Sequence, residues 1–420
     1  MGREGFDVEK EVKELVMLDD PAKKKQLAQK VFAAAREEGI YPSSIHDLYM
    51  ARGRSEFDGF TVPAINLRSM TYDLACSVFR VAKKHDSGAF ILEIARSEIG
   101  YTNQLPIEYS SMVLAAAIKE DYSGPVFIQG DHFQVNAAKF HQNLDREMAD
   151  LRSLVADAIS SGFYNIDIDS STLVDLSQPD PMKQQLSNYS VCAELTQFIR
   201  ETQPPGITIS VGGEIGEIGH QNSTPEDLQA FMAGLRERLP KKLAGISKIS
   251  IQTGTTHGGV VLADGSIAQI NLDFKTLKKL SEIARKEYGL AGAVQHGAST
   301  LPPEAFNKFP ECETAEVHLA TEFQNMIYES KHFPDNLKKR IYEWLKVNAA
   351  GEAKKGETEE QFLYKTRKKA LGPFKKEIMS LPKETRDAIA VEVEGRFDFL
   401  FTQLGVVNRG ELVNRYVQSQ

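Results

Sequence analysis

The chain is poor in cysteine, in tryptophan, in long apolar runs and in any large excess of charge of one sign. Its three cysteines, Cys76, Cys192 and Cys312, are far apart and odd in number. No disulfide framework is expected of them, and a reducing compartment is. No run approaches the roughly 18 apolar residues that a membrane span needs, so no membrane association is expected. Residues 1–30 are charged throughout and lack the apolar segment of a secretory signal, which makes a soluble, cytoplasmic protein the expectation. A formal charge of −8 is modest for 420 residues and speaks against a nucleic-acid partner. Solenoid-length repeats and low-complexity tracts are missing too. What remains is an ordinary globular composition, in a chain long enough for one large barrel with appendages.

The pattern along the chain fits that architecture. Eight short apolar runs read as buried parallel strands, at 62–67, 89–95, 125–130, 165–168, 208–212, 248–253, 292–295 and 314–319. Helical patterns lie between them, as at 70–84, where Leu74, Val78 and Val81 recur at helical spacing; others cover 145–160, 189–202, 225–238 and 274–288. Thr224-Pro225-Glu226-Asp227 is a good helix start, with a cap, a proline and early acids. Eight strand–helix alternations favour a (β/α)8 TIM barrel over an open doubly wound sheet. The organisation expected is an N-terminal helical extension over 1–55, a barrel catalytic domain over 56–330 and a C-terminal helical extension over 331–420. In the first, an amphipathic helix around 22–38 precedes a loop through Tyr41-Pro42-Ser43-Ser44. The last is charged, with a polar break at 351–360, and suits capping of the barrel or contacts between copies in a homo-oligomer.

Catalytic groups of TIM barrels stand at the C-terminal ends of the strands. Polar, metal-competent residues follow five successive runs here: Gly130-Asp131-His132, Ile168-Asp169-Ser170-Ser171, Gly213-Glu214-Ile215-Gly216, His257-Gly258-Gly259 and Gln295-His296-Gly297-Ala298-Ser299. Singly, each has a plain structural reading as a turn, a cap or a hydrogen-bonded histidine. Together, three histidines delivered from separate strand ends suit a catalytic zinc site, which needs three protein ligands and one open position.

At these residues the sequence resembles the class II, zinc-dependent fructose- and tagatose-bisphosphate aldolases, and the tagatose branch more closely. Asp131-His132 resembles the family's Asp-His pair, and Glu214-Ile215-Gly216 its Glu-(Leu/Ile)-Gly motif. His257-Gly258 and His296-Gly297 resemble its two His-Gly motifs, Pro63-Ala64-Ile65-Asn66 its first-strand Pro-Ala-Phe-Asn, and Val317-His318-Leu319-Ala320-Thr321-Glu322 its Val-Asn-Val-Ala-Thr-Glu. The likeness spans about residues 62–322, in the family's order. It implies one zinc, or another divalent metal, per chain, held by His132, His257 and His296 with Glu214 associated. Asp131 is implied as the group moving the substrate proton, with Glu214 and His318 also catalytic. Asn66, Asp169, Gly258, Gly297, Ser299 and Thr321 are implied in binding a sugar or sugar phosphate. The reaction implied is cleavage or formation of a ketose (bis)phosphate through a metal-stabilised enediolate.

Some residues depart from the family pattern. His318 replaces an asparagine, and Gly259, Val260 and Val261 stand where a phosphate-binding lysine is expected. The segment 93–98 does not match the usual serine motif, and 172–188 is longer than in the family. Two alternatives therefore stay beside the aldolase: a ketose C4-epimerase working by retro-aldol cleavage and re-addition, and a non-catalytic partner subunit of a tagatose aldolase.

Overall fold

The computed structural model describes residues 7–216, 221–254 and 272–417. Nine strands make up its sheet: β1 (Ile40–Ser43), β2 (Val62–Asn66), β3 (Ile91–Ala95), β4 (Gly124–Gln134), β5 (Asn165–Asp169), β6 (Ser210–Glu214), β7 (Lys248–Ile251), β8 (Ala293–Gln295) and β9 (Glu316–Leu319). Strands β2 to β9 pair each with the next, all parallel, and β9 returns to β2 through Val62↔Glu316 to Ile65↔Leu319. The result is a closed (β/α)8 TIM barrel with additional helices. Helices cover the outer face and side chains fill the inner one, so β2, β3, β5, β6, β7, β8 and β9 are buried along their whole length.

β1 corrects the expected loop through Tyr41-Pro42-Ser43-Ser44. At 11 residues β4 is the longest strand, and its first residues lie below the point where β3 joins it at Phe127. β1 covers that edge in register Ile40↔Gly124 to Ser43↔Phe127, and an edge position tolerates Pro42. Asn165 fixes the join: its side chain donates to Ser43 O at 3.1 Å and accepts from Ile45 N at 2.9 Å. The N-terminal extension thus closes the lower rim.

The helices begin where the sequence offers caps. Thr224 and Asp227 form a reciprocal capping box ahead of Pro225–Arg238, and Asp20 caps Pro21–Glu37. Two short helices, Val8–Met17 and His46–Gly53, lie beyond what periodicity predicts. In the C-terminal extension the long helix Lys383–Gln403 packs on Thr71–Lys84, where Arg386 pairs with Asp73 and Arg80 with Glu394, each at 2.6 Å. A short 3-10 turn, Arg367–Ala370, lies beside Arg96–Thr102, the helix that follows β3. No described helix is long and apolar enough to cross a membrane.

Candidate active site

The barrel interior holds charge at mid-height, where branched aliphatic side chains are usual. Lys248 Nζ on β7 lies 2.7 Å from Gln129 Oε1, 2.5 Å from Glu316 Oε1 and 3.0 Å from Asp167 Oδ2. Tyr49, from the N-terminal extension, donates its hydroxyl to Glu316 at 2.5 Å, and the Gln129 amide donates to Glu93 at 2.9 Å. Gly212 makes room for this layer, since a Cβ there would stand 2.3 Å from Asp167 Oδ1. Burial alone would raise the Glu316 pKa, yet Lys248 and His318 hold it well below the usual carboxylate range. Burial pushes Asp167 up to about 6 against the pull of Lys248.

Strand alternation carries the chain from this layer to the one above in two-residue steps. His318 follows Glu316, and Asp131 follows Gln129. The His318 ring has Nδ1 3.1 Å from Glu93 Oε1 and 3.2 Å from Asp131 Oδ1, with Nε2 2.7 Å from Glu316 Oε1. Burial alone would lower its pKa, but Glu93 and Asp131 outweigh that and hold it well above the ordinary range. Glu93 is raised to about 7 by burial and by the charge of Asp131.

His132 is aimed by a bulge. The β4–β5 register shifts between Gly130 and Phe133, and His132 takes φ 39°, left-handed backbone that costs a non-glycine residue on the order of 1–2 kcal/mol. A Cβ at Gly130 would lie 2.5 Å from the Phe133 ring, so the bend requires glycine there. His132 Nδ1 lies 3.2 Å from Asp169 and 3.2 Å from Glu214, while Nε2 lies 3.8 Å from Asp131. Burial would lower its pKa, but Asp131, Glu214 and Asp169 raise it well above the usual value. Glu214 itself is pushed up to about 7 by burial and by Asp169. Carboxylates on Nδ1 are the arrangement that orients a metal-binding imidazole.

A cavity of about 520 Å³ opens over these groups, with Asp131, His132, His296, His318, Gly297 and Thr321 among its walls. The His296 ring stands 4.2 Å from that of His132 and 4.0 Å from that of His318, centroid to centroid, and its Nε2 is 3.1 Å from Ser250 Oγ. Asp131, His132 and His296 offer ligand atoms within 4.8 Å of one another, as do His132, Asp169 and Glu214. The balance of charge leans negative: Glu93, Asp131, Asp167, Asp169, Glu214 and Glu316 are all buried here, against Lys248 and the imidazoles of His132 and His318.

The other expected residues divide. Ser299 is at the rim, where its hydroxyl accepts from Ala320 N–H at 3.0 Å. Asn66 and Asp169 are buried outside the described cavity wall: Asn66 donates to Glu98 at 2.6 Å, and Asp169 accepts from Gln134 and from the Ser171 hydroxyl at 2.7 Å. Glu214 sits behind His132. His257 and Gly258 lie outside the described residues.

Sequence reasoning passed over Glu93, Asp167, Lys248 and Glu316. Their signal is a charge inside an apolar run, as in Ile91-Leu92-Glu93-Ile94 and Ala315-Glu316-Val317-His318-Leu319, with the second charge two residues after the first.

The model of the class-II fructose-bisphosphate aldolase family matches residues 54–387. No curated protein matches the chain. Among solved structures, a fructose-bisphosphate aldolase from Campylobacter jejuni is similar with a TM-score of 0.53 at 17% identity, covering 88% of this chain and 96% of that one. A fructuronate-tagaturonate epimerase from Cohnella laeviribosi is similar with a TM-score of 0.62 at 12% identity, covering 91% and 86%. At such identities the likeness to both is one of fold.

Proposed function

The chain belongs to the class II fructose-bisphosphate aldolase family, and from that premise we propose that it is a metal-dependent enzyme that breaks or forms a carbon–carbon bond in a ketose or ketose phosphate. The observation that carries this reading is the convergence of Asp131, His132, His296 and His318 on one cavity at the strand ends. His132 and His296 would hold the metal together with His257, and imidazole donors favour zinc over magnesium. Glu214 and Asp169 would orient His132 through Nδ1. Such a metal supplies Lewis acidity to the oxygens flanking the bond that breaks. Asp131, on the cavity wall, would move the hydroxyl proton of the substrate.

His318 supports a second reading, the C4-epimerase. It places a second proton-carrying group 3.2 Å from Asp131, in position to act on a sugar that is cleaved, turned and rejoined. The fructuronate-tagaturonate epimerase on the same fold agrees with this reading. The meeting of Asp131, His132, His296 and His318 at one cavity, with Glu214 and Asp169 behind His132, speaks against a non-catalytic subunit.

Incubating the purified chain with fructose, tagatose and their phosphates, with added zinc and with chelator, tests the proposal. Triose products or C4 epimers that form only with metal are expected, and protein purified without chelator should carry about one metal per chain. Full activity in metal-free protein ends the reading. For His318, the Asn substitution is expected to lower epimer formation relative to cleavage by about 10- to 100-fold, the worth of one lost hydrogen bond to a charged group. An unchanged product ratio in His318→Asn removes His318 from the epimerase reading, and absence of C4 epimers from the wild type removes the epimerase itself.

A further inference from the structure

The segment Arg367-Lys368-Lys369 belongs to the C-terminal extension, remote in sequence from every barrel strand, and its three cations are used differently. Arg367 is engaged through one nitrogen and two ring faces: Nη2 donates to Asn325 Oδ1 at 2.5 Å and pairs with Glu329 at 3.0 Å, and the guanidinium lies over the rings of Tyr364 and Tyr328 at 4.6 and 5.3 Å. Lys369 pairs with Glu352. These two hold the turn Arg367–Ala370 to Thr321–Glu329 and Ala350–Glu352, and the turn lies beside Arg96–Thr102. At three residues per turn, successive side chains point about 120° apart, so Lys368 leaves on a third side, and that side is the wall of the active-site cavity. Its Nζ stands 6.0 Å from the centre of the Tyr101 ring.

Besides its histidines the cavity wall carries four arginine and lysine side chains, and two of them are already paired with carboxylates. Arg96 is held by Glu147 at 2.5 Å and Arg68 by Glu98 at 2.7 Å. That leaves Lys139, on an exposed helix, and Lys368. Among the described residues Lys368 pairs with no carboxylate, and Glu98, whose charge reaches it, is engaged by Arg68. Partial burial and the nearby Arg68 guanidinium pull the Lys368 ammonium below the usual lysine range, which an arriving anion would reverse. Elsewhere on the wall the Ala320 amide donates to the Ser299 hydroxyl and is not open to an anion.

We propose that Lys368, carried into the active-site cavity by the C-terminal extension, binds the anionic terminal group of the substrate, a carboxylate or a phosphate, beside Arg68 and the Tyr101 ring. The inference rests on the sugar reading above and adds a specificity-determining residue from outside the barrel. The test is binding, which needs no turnover: titration of the full chain with fructose 6-phosphate, 5-keto-D-gluconate and uncharged fructose, for the wild type, Lys368→Ala and Lys368→Arg. Loss of a charge-assisted hydrogen bond should weaken anion binding in Lys368→Ala by about 10- to 100-fold. Fructose should bind within about twofold of wild type, and Lys368→Arg should keep most of the anion affinity. Weakening for the phosphate alone assigns the subsite to sugar phosphates, for the keto-acid alone to sugar acids, and for both to anions generally. Equal weakening for all three ligands, or none for either anion, overturns the subsite while the sugar reading stands. Wild-type protein that binds none of the three overturns both.

Discussion

Replacing Asp131 by asparagine is expected to lower turnover by about 10²–10⁴-fold, the usual contribution of a general acid–base group, with metal content unchanged. Asparagine keeps the shape and the hydrogen-bonding reach of the side chain but cannot take a proton from a hydroxyl. The site sharpens the comparison, because Asp131 stands on both sides of the question. It lies 3.8 Å from His132 Nε2, close enough to share a metal with His132 and His296, and 3.2 Å from His318, close enough to exchange a proton. The two roles predict opposite results. A proton carrier loses rate and keeps its metal. A ligand loses metal first, so an Asp131→Asn protein with depleted metal and a rate per bound metal near wild type would reassign the residue. Elemental analysis beside steady-state kinetics separates them.

How far such a site is legible in the sequence depends on how local its causes are. The barrel strands show as apolar runs because burial on both faces leaves little room for anything else. Asp131, His132, His296 and His318 show because each sits at or near a strand end, where polar residues follow apolar ones. β1 does not show: Tyr41-Pro42-Ser43-Ser44 has turn chemistry, and only the uncovered edge of a distant strand makes it extended. The extension of β4 through Asp131-His132 to Gln134 is hidden for a similar reason, since the bulge is defined by its register with β5. Glu93, Asp167, Lys248 and Glu316 are visible one at a time as misplaced charges, but which of them meet is decided by closure of the barrel. Lys368 is the extreme case. It lies on a turn whose placement depends on Asn325, Glu329 and Glu352, and nothing near it in the chain marks it as part of a cavity.

The interior charges make the second large prediction, on stability. Lys248→Met keeps roughly the length of the side chain and removes the cation that Glu316, Asp167 and Gln129 surround. Breaking a buried ion pair from one side leaves an uncompensated buried charge, which costs about 3–5 kcal/mol. The pH dependence follows from the direction in which Lys248 moves its partners. In the wild type the Glu316 carboxyl is held well below the usual range, so its contribution is present above the ordinary carboxylate pKa and is lost as pH falls through the lower folded value. Without Lys248 that carboxyl keeps only His318, Gln129 and Tyr49 as partners, so its pKa rises and the cost of burying its charge lessens as pH falls. The deficit of the variant should therefore be greatest above neutrality and narrow toward about pH 5. Denaturant midpoints at several pH values read this directly. A second change, Glu316→Gln, should recover part of the loss in the Lys248→Met background while destabilising the wild type, because it removes the orphaned charge in one case and half of a pair in the other. A Lys248→Met protein as stable as wild type across that pH range would mean that water or a bound cation already neutralises the interior layer, and the charge balance assigned to it would have to be redrawn.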